Sequence, residues 1–184
     1  MKKIFKIILI YLKAVGIISC ASWIQIPFAP LPWNFVYFSV ISLAGIFCKE
    51  IALSIVLFWS ILGVFDLNWI CPISSAILSS PCGGYFWGIV PALCWASFSY
   101  EKSAWIKWVG ALIILEACGA LQCILLSPNL NIAKRYGLFA LFPWNLVQSG
   151  LGIRCDKIVN RIAKKIFLFS KLSVVHKFFL STQK

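Results

Sequence analysis

The chain has 184 residues, 61% of them hydrophobic and only 12% charged, with a formal net charge of +12. A mean hydropathy of +0.93 excludes an ordinary soluble domain, which is about 45–50% apolar and 25% charged, and the length excludes a second domain of usual size. The cations cluster at the ends of apolar segments, the positive-inside pattern of a membrane protein, rather than forming the soluble basic face that nucleic-acid binding requires.

Lipid offers the backbone no hydrogen bonds, so each crossing is predicted as a helix of about 20 residues. The first runs from about Phe5 to Ile24. Lys2, Lys3 and Lys6 ahead of an apolar run resemble a signal-peptide start, but no small-x-small cleavage site follows and Lys13 interrupts the run, so a retained helix is expected. Pro27, Pro30 and Pro32 then break it. Trp33–Phe65 is apolar apart from Lys49 and Glu50. As one helix it would be about 50 Å long against a hydrocarbon core of about 30 Å. Two short helices are therefore predicted, with a tight turn at Lys49-Glu50 that no Gly or Pro marks.

Asp66–Ser80 reads as irregular and closes on Pro81. Gly83-Gly84-Tyr85 opens a fourth helix to about Tyr100, Glu101–Lys107 is a polar turn, and Trp105–Leu126 is the fifth crossing. After the polar stretch Ser127–Tyr136, the sixth crossing is either Gly137–Ile153 with a kink at Pro143, or a helix that begins at Pro143 and runs to about Ile162. Phe167–Leu180 bears lysines and has one apolar side, as an amphipathic segment on a membrane surface does. The division is a six-helix membrane domain over 1–165 and a basic amphipathic cytoplasmic tail over 166–184.

With six crossings, Lys2, Lys3, Lys6, Lys13, Lys49, Lys102, Lys107 and every cation from Arg154 onward lie on one side, and Lys134 and Arg135 on the other. A single crossing over Trp33–Phe65 would put the basic termini on opposite faces. The charge rule therefore favours an all-α, integral membrane bundle of six transmembrane helices with both termini cytoplasmic. Two loops, Ile26–Asn34 and Asp66–Tyr85, then share the opposite, nearly cation-free face.

Catalytic signatures are missing: the sequence has no phosphate-binding Gly-rich loop with Lys, no G-x-S-x-G and no carboxylate pair beside an apolar cleft. The eight cysteines form no CxxC and His176 is alone, so neither a metal site nor a cofactor is expected, and the chain is not read as an enzyme. Cys serves here as a small apolar packing residue; Cys71 and Cys82, which share an outer loop, are the one pair open to a disulfide.

Four features bear on binding. The run Ile26–Pro32 is stiffened by proline and suits either a helix terminator or a lid over a cavity. Gly83 and Gly84 before a helix suit either a tight turn or a close approach of backbone to a ligand, with first-turn N–H groups and the Tyr85 hydroxyl as contacts. Asn145 and Gln148, three apart after Pro143, share one helix face. Their amides suit reading a ureido or amide group, or bonding helix to helix. Glu116 lies in mid-span, where a carboxylate is expensive unless protonated or paired, and is a candidate for substrate contact or proton handling.

These stretches, taken in order, resemble the BioY family, the biotin-binding subunits of energy-coupling-factor (ECF) transporters. Ile26-Pro27 with Pro30-Leu31-Pro32 is similar to the family's Pro-rich first outer loop, Leu43-Ala44-Gly45 to its Leu-x-Gly, Pro81 and Gly83-Gly84-Tyr85 with Gly88 to its Gly-Pro-Thr-Gly-Gly-Tyr segment, and Phe142-Pro143 to its Phe-x-Pro before the last helix. The similarity spans roughly Ala21 to Lys165. It departs from the family where Gly-Asp and a following Lys are usual: Trp144, Asn145 and Gln148 stand there, so an acidic and a basic contact become neutral amides. Cys82 replaces the Thr and Ser80 the first Gly, and the fifth helix carries Glu116 and Gln122 where aromatics are common.

The resemblance implies uptake of biotin, or of a similar small acid, by a substrate-binding S component that docks with a membrane coupling subunit and two ATPase subunits and touches membrane lipid. It implies a pocket with Asn145 and Gln148 at the ureido end, Gly83, Gly84 and Tyr85 beside the rest, Trp33, Trp69 or Trp144 against the thiophane ring, and Asn34 and Glu116 nearby. Pro30–Asn34 and Cys71–Tyr85 would be its lids. Gly16 and Cys20 offer a small-xxx-small contact on the first helix, for docking or for packing within the bundle. An S component for another vitamin and a non-transporting membrane scaffold are the alternatives.

Overall fold

The computed structural model describes all residues except Met1, 28–32, Asp66, 68–69, 72–74, Tyr100, 137–140 and 169–184. Helix α1 (Lys2–Trp23) leads to a two-residue antiparallel pair, β1 (Gln25–Ile26) and β2 (Trp33–Asn34), with Gln25 opposite Asn34 and Ile26 opposite Trp33. Helices α2 (Val36–Leu43) and α3 (Lys49–Val64) follow, then α4 (Ser75–Leu78), α5 (Gly83–Trp87), α6 (Ile89–Phe98), α7 (Ala104–Leu126), α8 (Leu130–Tyr136) and α9 (Phe142–Leu168). The architecture is the expected all-α membrane bundle, with α5 and α6 together forming the fourth of its six main helices.

The surface is suited to lipid rather than water. Phe5, Phe65, Phe98, Trp105, Ile113 and Leu125 are all exposed on the helix exteriors, and an apolar surface of this extent needs an apolar solvent. Among the described residues, α7 is by itself long and apolar enough to cross a bilayer.

The helices are less uniform than the sequence reading expects. Helix α2 has 8 residues and α3 has 16, so α2 is about 12 Å long at roughly 1.5 Å per residue. The turn between them falls at Ala44–Cys48, ahead of the expected Lys49-Glu50, and Gly45 lies in it. There the N–H groups of Ala44, Gly45 and Ile46 donate to Ile41, Ser42 and Leu43, tightening the chain into i+3 bonds. Its shortness places α2 inside the bundle: seven of its eight residues are buried, where it packs on α1, α6 and α9. The fourth helix breaks at Gly88, because Pro91 has no N–H to continue the ladder there. The sixth helix starts at Phe142, so Pro143 sits in its first turn, where proline is tolerated. It runs on to Leu168, so the 165/166 boundary expected for a tail falls within this helix, and the remainder of the tail lies outside the described residues.

Helices α7 and α9 are antiparallel and set the frame of the site. Glu116 meets Asn145 at one level, the Trp108 ring lies where a side chain on Gly152 would be, and Lys107 meets Asp156 at the far end. Trp59 and Trp108 fill the interior with Ile18, Ile41, Ile55 and Leu93.

Candidate functional site

The end of the bundle where α1 finishes and α9 begins gathers most of the expected residues. Asn34 organises it. Its side-chain oxygen accepts from the Val36 N–H (3.1 Å), at the first turn of α2. Its carbonyl accepts from Trp144 Nε1 (2.7 Å) and from Gln148 Nε2 (2.9 Å). The β1–β2 pair presents Trp33 to Trp144, and the two rings stack at 5.5 Å with an interplanar angle of 3°. Phe35 meets Trp144 edge-on. The sequence reading placed these tryptophans against a ligand ring; here they pack on each other, half-buried, and form an aromatic wall. Trp69 and Pro30 lie outside the described residues.

Asn145 and Gln148 are buried, and both amides are committed to protein partners. The Phe38 N–H donates to Gln148 Oε1 at 2.9 Å. Gln148 Nε2 donates to Asn34 O and, at 3.3 Å, to Asn145 Oδ1. Asn145 Nδ2 then donates to Glu116 Oε1 at 2.8 Å. These bonds run helix to helix, one of the two uses foreseen for the amides. Gln148 ties α9 to the first turn of α2, whose N–H groups have no partner within the helix, and Asn145 ties α9 to α7.

Glu116 is 5% exposed. The Tyr85 hydroxyl interacts with its carboxyl, and the Tyr85 ring covers Gly119 one turn further along α7. The other carboxylate oxygen, Oε2, is buried with no hydrogen-bond partner. Glu116 also lines a groove of about 670 Å³ with Leu112, Ile113, Ala117, Ala120 and Phe142.

Gly83 and Gly84 are placed differently from the expectation of backbone approaching a ligand. A Cβ on Gly83 would meet the Leu78 carbonyl and Gln122 Nε2; one on Gly84 would meet the Cys118 carbonyl and Gln122 Cβ. Gly84 thus lets the start of α5 lie against the α7 backbone, Gly83 lets it lie against Leu78 and the Gln122 side chain, and the Gly83 N–H already donates to Ser80 O (3.0 Å). Gln122 pins the preceding loop by donating to Leu78 O (3.1 Å) and Ser80 O (2.8 Å). Gly84→Ala is expected to destabilise the protein by about 1–3 kcal/mol, since the added methyl meets backbone that cannot rotate away. Gly16→Ala, at an exposed site with nothing within 4 Å, is expected to be neutral or mildly stabilising; thermal unfolding in detergent compares the two. Cys71 is buried and Cys82 half-buried, each as a thiol, so the disulfide left open by the sequence is not formed. Burial pushes the Cys82 thiol up to about 11, which keeps it protonated and unreactive at neutral pH.

Sequence reasoning missed a second polar layer toward the other end. The Tyr37 hydroxyl donates to Trp108 O (2.9 Å) and lies 3.0 Å from Ser149 Oγ. Beyond it, Lys107 forms an ion pair with Asp156, which also accepts from Trp108 Nε1 (3.2 Å). Lys107, counted from sequence among the cations of the inner face, is 2% exposed and neutralised within the bundle. The signal was present on α9: Asn145, Gln148, Ser149, Gly152 and Asp156 stand at i, i+3, i+4, i+7 and i+11, one helix face that is polar apart from the glycine.

The comparisons with known proteins agree on the fold. A family model described as the BioY family matches residues 1–164. A crystal structure of the S-component for biotin from an ECF-type ABC transporter superposes with a TM-score of 0.62 at 19% sequence identity, covering 89% of this chain and 93% of that chain. No curated protein matches the chain significantly.

Proposed function

Since the chain belongs to the BioY family, we propose that it takes up biotin across the cytoplasmic membrane as the substrate-binding S component of an ECF transporter. The observation that carries this reading is the convergence of Trp33, Asn34, Trp144, Asn145 and Gln148 at one end of the bundle, linked to Glu116 and Tyr85. A small, partly apolar guest with a hydrogen-bonding head suits such a place: an aromatic wall on one side and a few fixed polar groups on the other. Gly83 and Gly84 support it by holding Tyr85 against α7.

In this reading the six-helix bundle spans the bilayer with the short α2 held inside it, both termini are cytoplasmic, and the aromatic end opens outward. The solute moves inward with energy from a coupling subunit and ATPase subunits. Gly16 and Cys20 lie on the exposed face of α1, where small residues permit the close helix approach that docking needs.

Equilibrium binding of labelled biotin to the purified protein tests the reading, with uptake in biotin-auxotrophic cells as its functional counterpart. Saturable binding, competed by unlabelled biotin but not by other vitamins, is the expected result. Saturable binding of a different vitamin in the same panel would move the protein to another cargo, and none at all would reject the assignment.

A further inference from the structure

The directions of the hydrogen bonds in the buried relay follow from one fixed point. The Phe38 N–H is a backbone donor, so the Gln148 atom facing it is the oxygen. Gln148 must then present its NH₂ to Asn34 O and to Asn145. Asn145 in turn faces Gln148 with its oxygen, and so presents its NH₂ to Glu116. Each amide orientation is dictated by its neighbour, and the relay ends on Glu116 Oε1 as an acceptor.

Every oxygen and nitrogen along this chain of side chains has a hydrogen-bond partner in the protein except Glu116 Oε2, which no donor meets at hydrogen-bond geometry although the Tyr85 hydroxyl stands near the same carboxyl. A buried carboxylate oxygen left without a donor is costly, by more than a neutral group would be. It belongs to a side chain that is 5% exposed and that forms part of the wall of a groove lined otherwise by apolar side chains.

We infer that Glu116 Oε2 is the acceptor for an N–H of the transported molecule, so that the site selects a ligand carrying a cyclic urea or comparable paired amide donor. The anchor for that donor lies on α7, and Asn145 acts as a positioning residue that turns the Glu116 carboxyl. This deepens the biotin reading and rests on it. Substitution Glu116→Gln is the sharpest probe. Glutamine keeps the shape and can keep its oxygen toward Asn145, because the relay demands an acceptor there. Its NH₂ then stands where Oε2 was, and the position changes from acceptor to donor.

The experiment measures binding of biotin, and of biotin methylated at one or the other ureido nitrogen, to the wild-type protein and to Glu116→Gln, with thermal unfolding of both proteins. A charge-assisted hydrogen bond of this kind predicts biotin binding about 10- to 100-fold weaker in the variant. One methylated isomer should lose a similar factor on the wild type and nothing further on the variant, because both changes remove the same contact. Undiminished biotin binding by a folded variant overturns the inference and leaves the biotin reading standing. So does an additive loss with both isomers. If the variant fails to fold, wild-type protein that binds both isomers as tightly as biotin overturns the inference by itself. Absence of saturable biotin binding to the wild type overturns the underlying reading and the inference with it.

Discussion

Gln148→Ala is expected to lower stability by about 2–4 kcal/mol, because it strands two buried groups at roughly 1–3 kcal/mol each and leaves a cavity. The stranded groups are the Phe38 N–H and Asn145 Oδ1. The Asn34 carbonyl is spared, since Trp144 still donates to it. Thermal or denaturant unfolding in detergent reads the loss. Biotin affinity should fall with it, because the Asn145 amide is no longer held in the orientation that fixes Glu116. Gln148→Glu separates direction from shape. Glutamate keeps an oxygen for the Phe38 N–H but sets a second oxygen against Asn34 O and Asn145 Oδ1, three acceptors together. A harmless Gln148→Glu would mean that the relay does not run in the direction assigned to it.

Much of this arrangement was legible in the sequence, and the limits of that legibility have physical causes. Long apolar runs bounded by cations identify helices in lipid because the backbone has no other way to satisfy itself: the first and fifth helices were found within a few residues, and the sixth follows the alternative that begins at Pro143 but runs on past Ile162 to Leu168. The shortness of α2 was hidden. An apolar run reads alike whether it faces lipid or neighbouring helices, and α2 is the segment enclosed on nearly all sides. Gly45 marks its end but sits inside that run, where it passes for a packing residue. Asn145 and Gln148 were found by spacing alone, yet spacing does not say whether an amide faces a guest or another helix; that depends on α2 and α7, which Gln148 and Asn145 respectively meet only in the folded chain. The same limit applies to Gly83 and Gly84, whose use depends on Leu78 and Gln122 lying against the one and the α7 backbone against the other. The pairing of Lys107 was not legible, because the charge rule counts cations by position and cannot see a carboxylate 49 residues away on another helix.

That buried pair is the site of the second large effect. Lys107→Met alone is expected to destabilise by about 3–5 kcal/mol, since Asp156, only 17% exposed, would be left with its charge uncompensated. The Trp108 indole N–H would remain its neutral donor. Asp156→Leu alone should be equally damaging, as it leaves an ammonium in the interior. The double variant removes both charges and should recover to within about 1 kcal/mol of the wild type, as apolar replacements of buried pairs often do. The coupling between the two substitutions, read from unfolding of the four proteins, should therefore exceed about 2 kcal/mol. Biotin binding by the double variant asks a separate question. Asp156 lies about 16 Å along α9 from Asn145 at roughly 1.5 Å per residue, too far to touch a guest at Glu116. If the pair serves only stability, the double variant binds biotin as the wild type does. If it sets the rotation of α9, and so the aim of Asn145 at Glu116, affinity falls even though stability has returned, because a Met–Leu contact holds two helices together without fixing their register as an ion pair does.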